Sequence, residues 1–225
     1  MGMDYKDVLK RLREEREKLT WSQREMCQRM HMSQAQYCKI EKGMQYFSYD
    51  EVNALIDLGM DVHYIFTGQR TKGRYVKEFE ECSYFEAICL LETIFSIITC
   101  YYVLEPSAFW KNLYQEVRYI RLLDADQNFD NNLFFLIRRL LDYTQREMAD
   151  HLCIDLKKLR KLENDQCLPD SELLWRFYRE FRVPPSMVLR DRKGLLCEAG
   201  WFLERMDAIS ENNILAILKL FQKKN

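Results

Sequence analysis

The side chains able to do chemistry in this chain are amides, lysines and arginines at helical spacing, each group led by a hydroxyl and a carboxylate three residues apart. Ser22-Gln23-Arg24-Glu25-Met26 returns as Thr144-Gln145-Arg146-Glu147-Met148. At that spacing each of the two leading side chains satisfies the other residue's free backbone N–H at the start of a helix. The parallel continues without a gap at an offset of 122 residues: Met32-Ser33 answers to Ile154-Asp155, Tyr37 to Leu159, and Lys39-Ile40-Glu41 to Lys161-Leu162-Glu163. Amides and ammonium groups of this kind donate and accept hydrogen bonds; they hold a ligand and do not break its bonds. Bond-breaking chemistry has no comparable signature. His31, His63 and His151 each fall inside a repeated segment with a packing or surface role open to it, and no Gly-rich phosphate loop, nucleophile elbow or metal-ligand cluster is present. The eight cysteines are scattered with no C-x-x-C pair, which predicts free thiols, many of them packed as small hydrophobes, and no zinc site. The expectation is therefore no enzyme, no metal and no cofactor.

Two sets of helices must position these groups. In the first segment, residues 5–70, an amphipathic helix over 4–19 turns Val8, Leu9, Leu12 and Leu19 inward and a charged face outward. Ser22 starts a second helix with Met26 and Met30 inward, and the small Cys27 allows close approach of a neighbour. His31-Met32 is a tight turn, in which His31 tolerates a positive φ better than most residues. Ser33 and Gln36 read as another capping box opening a third helix. Its buried stripe is Tyr37 and Ile40, which leaves Gln34, Ala35, Cys38, Lys39 and Lys42 outward, and Gly43 ends it. A fourth helix over about 50–58 and a turn over 62–66 close the segment at Thr67-Gly68. The second segment, residues 130–192, repeats the order. Its first helix spans 132–143 with Leu133, Leu136, Ile137, Leu140 and Leu141 apolar; Thr144 and Glu147 cap the next, with Met148 and Leu152 inward and Ala149 at the small position. Asp155 caps a helix that buries Leu159 and Leu162 and leaves Leu156, Lys157, Lys158, Arg160 and Lys161 outward. A fourth helix over 171–181 and a closing turn over 183–189 complete it, with Asn164-Asp165 where the first segment has its terminating Gly.

The run from Ser22 through Gly43, followed by Gly59-Met60-Asp61-Val62-His63-Tyr64-Ile65-Phe66-Thr67-Gly68, resembles the helix-turn-helix domain of phage Cro and repressor proteins, the XRE-type family of bacterial regulators. The second segment resembles the same family. The resemblance implies an all-α chain with two lambda-repressor-like domains, in which the second helix of each crosses the phosphate backbone of double-stranded DNA and the third enters the major groove. Gln23 and Gln145 would then hold phosphate at helix N-termini, beside Arg24 and Arg146. Gln34, Ala35 and Lys39 would be the base readers of the first copy, with Gln36 nearer the backbone and Lys42 among the DNA-binding residues. The matching readers in the second copy are Leu156, Lys157 and Lys161, with Lys158 near phosphate and Arg160 alongside. Amides suit adenine and Lys suits guanine, so the first copy would supply more base discrimination and the cation-rich second copy more electrostatic affinity. Two heads in one chain imply an extended or composite operator rather than one short palindrome.

The domain organisation read from the chain is a first helix-turn-helix domain over 1–72, a helical linker over 73–128, a second domain over 129–192 and a helical tail over 193–225. Few Gly and Pro (7 and 4) favour helices over strands. A net charge of −1 restricts any DNA-binding surface to local patches. The run 87–104 touches the length of a membrane span, but Glu92 interrupts it, and a span would set the two DNA-binding copies on opposite sides of the bilayer. It reads instead as a helix buried nearly all round, between the copies or against a partner chain. A second helix over 107–123 carries Phe109, Trp110, Leu113, Val117 and Ile120, and the tail helices over 195–206 and 212–221 add Leu196, Trp201, Phe202, Ile214, Ile217 and Leu218. These apolar segments are expected to build a homodimer interface. With a mixed, quickly polar opening over 1–10 and no membrane, the expected location is the cytoplasm. The competing expectation is an antitoxin or phage-type inhibitor whose helices hold a protein partner.

Overall fold

Asp4 accepts from the backbone N–H of Lys6 and exchanges bonds with Asp7, and from this cap α1 (Tyr5–Lys18) runs until Thr20 takes a left-handed φ of 60°. The computed structural model describes residues 4–70, 82–104, 107–117, 120 and 132–205. Among these, the regular structure is helical and no strand occurs. Ser22 and Glu25 form the expected reciprocal cap of α2 (Gln23–Arg29). Ser33 caps α3 (Gln34–Glu41) on one side only, because the Gln36 side chain does not turn back to it but donates to Glu51 at 2.9 Å. The box expected there is thus half formed, and its missing half ties α3 to the start of α4 (Tyr49–Asp57), where Ser48 and Glu51 make a full box of their own. The turn expected over 62–66 is a short helix, α5 (Val62–Thr67), capped by Asp61 and ended by Gly68 at a φ of 78°.

The chain divides into two compact units, Met1–Arg70 with Asn131–Gly194, and Thr71–Asp130 with Leu195–Asn225. In the first unit the amphipathic helices wrap Leu12, Met26, Tyr37, Ile40, Leu55 and Phe66, all but excluded from solvent. The outer face of α1 is less charged than expected, since Glu15 and Arg16 are both buried. They are tolerated because each is paired: Glu15 accepts from the Asp61 N–H and from Arg70, and Arg16 from α1 reaches Glu41 on α3. A buried charge without a partner would be far costlier.

The later part of this unit holds α8 (Leu133–Leu140), α9 (Gln145–Leu152), α10 (Leu156–Glu163), α11 (Ser171–Phe181) and α12 (Pro185–Val188). Its buried face differs at one point from the expected one. Phe134 and Ile137 are buried on α8, while Leu133, Leu136, Leu140 and Leu141 are only half-buried. The reason is the Phe134 ring, which stacks on Phe177 of α11 at 4.4 Å and takes the central place. Backbone turns recur at the offset of the repeat. Thr20, His31, Gly43 and Gly68 take φ of 60°, 52°, 71° and 78°, and Asp142, Cys153, Asp165 and Arg190 take 55°, 52°, 55° and 54°.

The second unit contains α6 (Tyr84–Leu104) and α7 (Ala108–Val117), packed on one another, and most of α13 (Arg192–Arg205), whose Arg205 pairs with Glu116. By length and composition α6 could cross a membrane. It is not buried nearly all round, as expected: Ala87, Ile88, Leu90, Leu91, Ile94 and Ile98 are covered, whereas Phe85, Val103 and Leu104 are 62, 70 and 78% exposed. One face suffices for α7, because Trp110 stacks on Tyr101, and Tyr114 on Tyr102 and Phe95. Phe109, read as apolar on this helix, stands exposed beside Trp110. Of the eight cysteines only Cys27 and Cys197 are buried, fewer than expected. The readings made for 73–81, 105–106, 118–119, 121–131 and 206–225 lie outside the described residues.

Candidate nucleic-acid interface

Two short helices, α2 and α3, are joined by the four residues Met30–Ser33 and are clamped from below by a buried network. Arg16 donates through Nε to Glu41 at 3.0 Å and through Nη1 to the Trp21 carbonyl at 2.7 Å. Glu41 also accepts from the Gln23 carboxamide at 2.6 Å. Burial disfavours the Arg16 charge, but the bond to Glu41 and its negative charge outweigh that and raise the guanidinium pKa. The first residue of α2 is thereby bound to the last of α3, which fixes how α3 is presented.

The same network recurs 122 residues on. Arg138 donates to both Glu163 oxygens, at 2.5 and 3.2 Å, and to the Tyr143 carbonyl, while the Gln145 carboxamide donates to Glu163 at 2.8 Å. Arg29 lies over the Trp21 ring at 4.3 Å, and His151, at the matching place, stacks on Tyr143 at 4.9 Å. In both segments the capping glutamate, Glu25 or Glu147, is held below the usual carboxylate range by the backbone N–H and then the hydroxyl of its partner. Sequence reasoning identified the caps but not this network. The signal was present: Arg, Gln and Glu recur at 16, 23 and 41 and at 138, 145 and 163.

The expected contact residues fall into two groups. Arg24, Gln34, Ala35, Lys39 and Lys42 are exposed around α2 and α3, and so are Arg146, Lys157, Arg160 and Lys161 around α9 and α10. The others are committed within the protein. Gln23 gives one amide proton to Glu41 and its oxygen to the Cys38 thiol at 3.6 Å, which leaves the second amide proton for an outside acceptor. Gln145 is held likewise, with Arg160 donating to its oxygen at 3.2 Å. Gln36 is bound to Glu51, and Lys158 to Asp170 at 3.2 Å, so both tie their helix to the cap of the next. Leu156 is half-buried at the start of α10.

Exposed donors on a helix held by its inner face suit groove recognition. The Gln34 carboxamide can pair with a base edge, Lys39 can reach guanine or phosphate, and Ala35 leaves room for close approach. Backbone N–H groups at the starts of α2 and α9 add fixed partial positive charge where phosphate would lie. Among the described residues, no group of three or more His, Cys, Asp or Glu side chains could hold a metal ion.

Residues 7–59 match a family described as a helix-turn-helix domain. That span runs from within α1 to just past α4 and contains the α2–α3 pair. No curated protein and no solved structure matches the chain.

Proposed function

We propose that this chain is a cytoplasmic, non-enzymatic transcriptional regulator of the XRE type, acting as a repressor, that places α3 in the major groove of double-stranded DNA. The observation that carries this reading is the exposed row Gln34, Ala35 and Lys39 on a helix whose other side is fixed by the Arg16–Glu41–Gln23 network within the matched span. The second segment is read as a second head, with α10 in the role of α3. Support for it comes from the recurring cap, left-handed turns and Arg138–Glu163–Gln145 network. Regions 73–128 and 193–225 are assigned to homodimer formation, on the exposed Phe85, Val103, Leu104 and Phe109.

Selection of bound sequences from a random duplex library tests the reading. The natural chain should enrich a defined motif, and Gln34→Ala with Lys39→Ala should abolish it with the helical content unchanged. Replacing Lys157 and Lys161 by Ala should flatten the dependence of affinity on salt by roughly one unit for each phosphate that is no longer neutralised. Tight capture of a co-purifying protein with no enrichment of any duplex would favour the antitoxin or inhibitor reading instead.

A further inference from the structure

The two repeated segments do not hang on a linker as separate beads. They share one compact unit, and the apolar core of the first takes in Leu174, Trp175 and Leu189 from the second. Their meeting place is built from corresponding parts, since α5 of the first touches α12, its counterpart in the second. Ser171 is the centre of the junction. It is buried, its N–H donates to the Phe47 carbonyl at 2.9 Å, its hydroxyl accepts from the Phe47 N–H at 3.0 Å, and it shares a further bond with the Tyr5 hydroxyl at 2.8 Å. Tyr46 donates to Glu172 at 2.9 Å and Tyr49 to the Val188 carbonyl at 3.1 Å, while Tyr5 meets the Trp175 ring edge-on at 5.6 Å. The residues matching Ser171 and Trp175 in the first segment are Tyr49 and Asn53. The junction side chains have therefore diverged, as those of a heterologous pair would.

This junction uses α1, α4 and α5 on one side and α11 and α12 on the other. It leaves Gln34, Ala35 and Lys39 exposed, and Lys157, Arg160 and Lys161 likewise. In an ordinary symmetric dimer the same patch appears on both partners, and identical heads read a palindrome. Here the heads are covalently joined, packed together and unlike in their exposed side chains.

We infer that the two segments form a built-in dimer, so that one chain reads one non-palindromic duplex carrying two unlike half-sites in a single order and at a single spacing. The inference rests on the reading of both segments as DNA-binding heads. The fixed junction replaces the second protein copy that a palindrome would need, and Ser171 is the positioning residue that sets the relation between the heads. Because the second head arrives already placed, the composite site should bind roughly a hundredfold or more tighter than either half alone.

The test uses the full-length chain and a random duplex library, followed by defined duplexes in which the spacing of the selected half-sites is changed. The expected result is two different motifs in one order. Inserting about 5 bp, half a helical turn, should lower affinity to that of a single half-site, because it turns the second half-site to the far side of the duplex. Tyr5→Phe with Ser171→Ala should loosen the junction and shrink that insertion penalty about tenfold, with binding to the first half-site alone kept as proof of folding. Should the double variant not fold, the spacing series on the natural chain decides by itself. Selection of a single short motif or a palindrome, or equal affinity at all spacings, would overturn the built-in dimer and leave DNA binding standing. No enriched sequence at all would overturn the DNA-binding reading and this inference with it.

Discussion

Removing the Glu41 carboxylate would strand the Arg16 guanidinium in the interior and free the Gln23 amide, so one substitution acts on both stability and presentation of α3. Glu41→Ala should cost about 3–5 kcal/mol of folding free energy, the range for breaking one side of a buried ion pair, measured by urea unfolding. Lys39→Ala touches no such network and should change stability by no more than about 0.5 kcal/mol while weakening DNA binding. His63 acts through protonation. Its burial in α5 lowers its pKa from the usual 6.5 to about 4, against a weaker opposing bond from Gln69. The folded state thus holds fewer protons than the unfolded chain between those values. The stabilising difference is fully present above pH 6.5 and is lost as pH falls towards 4, amounting to about 3 kcal/mol. Burial pushes the neighbouring Asp61 and also Asp191 the other way, so their protonation at low pH favours the folded form. Subtracting the unfolding profile of a His63→Gln variant from that of the natural chain isolates the histidine. An identical slope in the two between pH 6.5 and 4 would assign the pH dependence to other groups.

At the scale of the element, the turns between helices carry the clearest consequences. Cys153 sits between α9 and α10 with a φ of 52°, exposed, at a place where glycine would meet no strain. Cys153→Gly should raise stability by about 1 kcal/mol, since relief of the left-handed penalty exceeds the added freedom of the unfolded chain. Gly43→Ala should do the opposite, because its φ is 71° and a Cβ would come within 3.1 Å of the Leu9 side chain. Thermal unfolding of both variants checks the pair of signs. The turns also show what sequence could and could not reveal. Caps and helical periods are local, so Ser22 with Glu25 and the inward Met26, Tyr37 and Ile40 were legible directly from spacing. Burial of Glu15 and Arg16 was not, because it depends on partners 46 and 25 positions away. Gln36 and Lys158 read as groups near the DNA backbone for the same reason: Glu51 and Asp170, to which they are bound, lie at the start of the next helix. Arg176, donating to the Leu152 and Cys153 carbonyls at 2.9 and 2.8 Å, braces the second turn, where the first segment has Ala54. No local pattern announces that contact.

For the whole molecule, the division of labour follows from where each unit leaves its unsatisfied surface. The unit with the two repeated segments exposes amides and cations, with Met44, Leu168 and Phe135 as its exposed large apolar side chains, and packs its segments together at the Ser171 junction. The other unit exposes large apolar side chains, among them Leu104, Val103, Phe85 and Phe109. Phe85 stands at one end of α6 and Val103 and Leu104 at the other; exposed apolar side chains of that kind favour association, and a second copy of the chain would supply the matching face by symmetry. The natural chain should therefore sediment as a dimer at micromolar concentration, and Leu104→Asp with Phe109→Asp should sediment as a monomer with its helical content unchanged. If the junction already pairs the heads within one chain, this dimerisation adds no half-site to a composite operator. It would instead join two operators. The monomeric variant should then bind a single composite duplex as tightly as the natural chain does, yet fail to hold two duplexes at once in a bridging assay. A natural chain that sediments as a monomer would overturn the assignment of α6 and α7 to dimerisation. Recovery of the chain with membranes, resistant to high salt, would mean that α6 spans a bilayer, as its length and composition allow. Equal loss of affinity for one duplex and for two in the aspartate variant would show that the heads depend on the second copy after all.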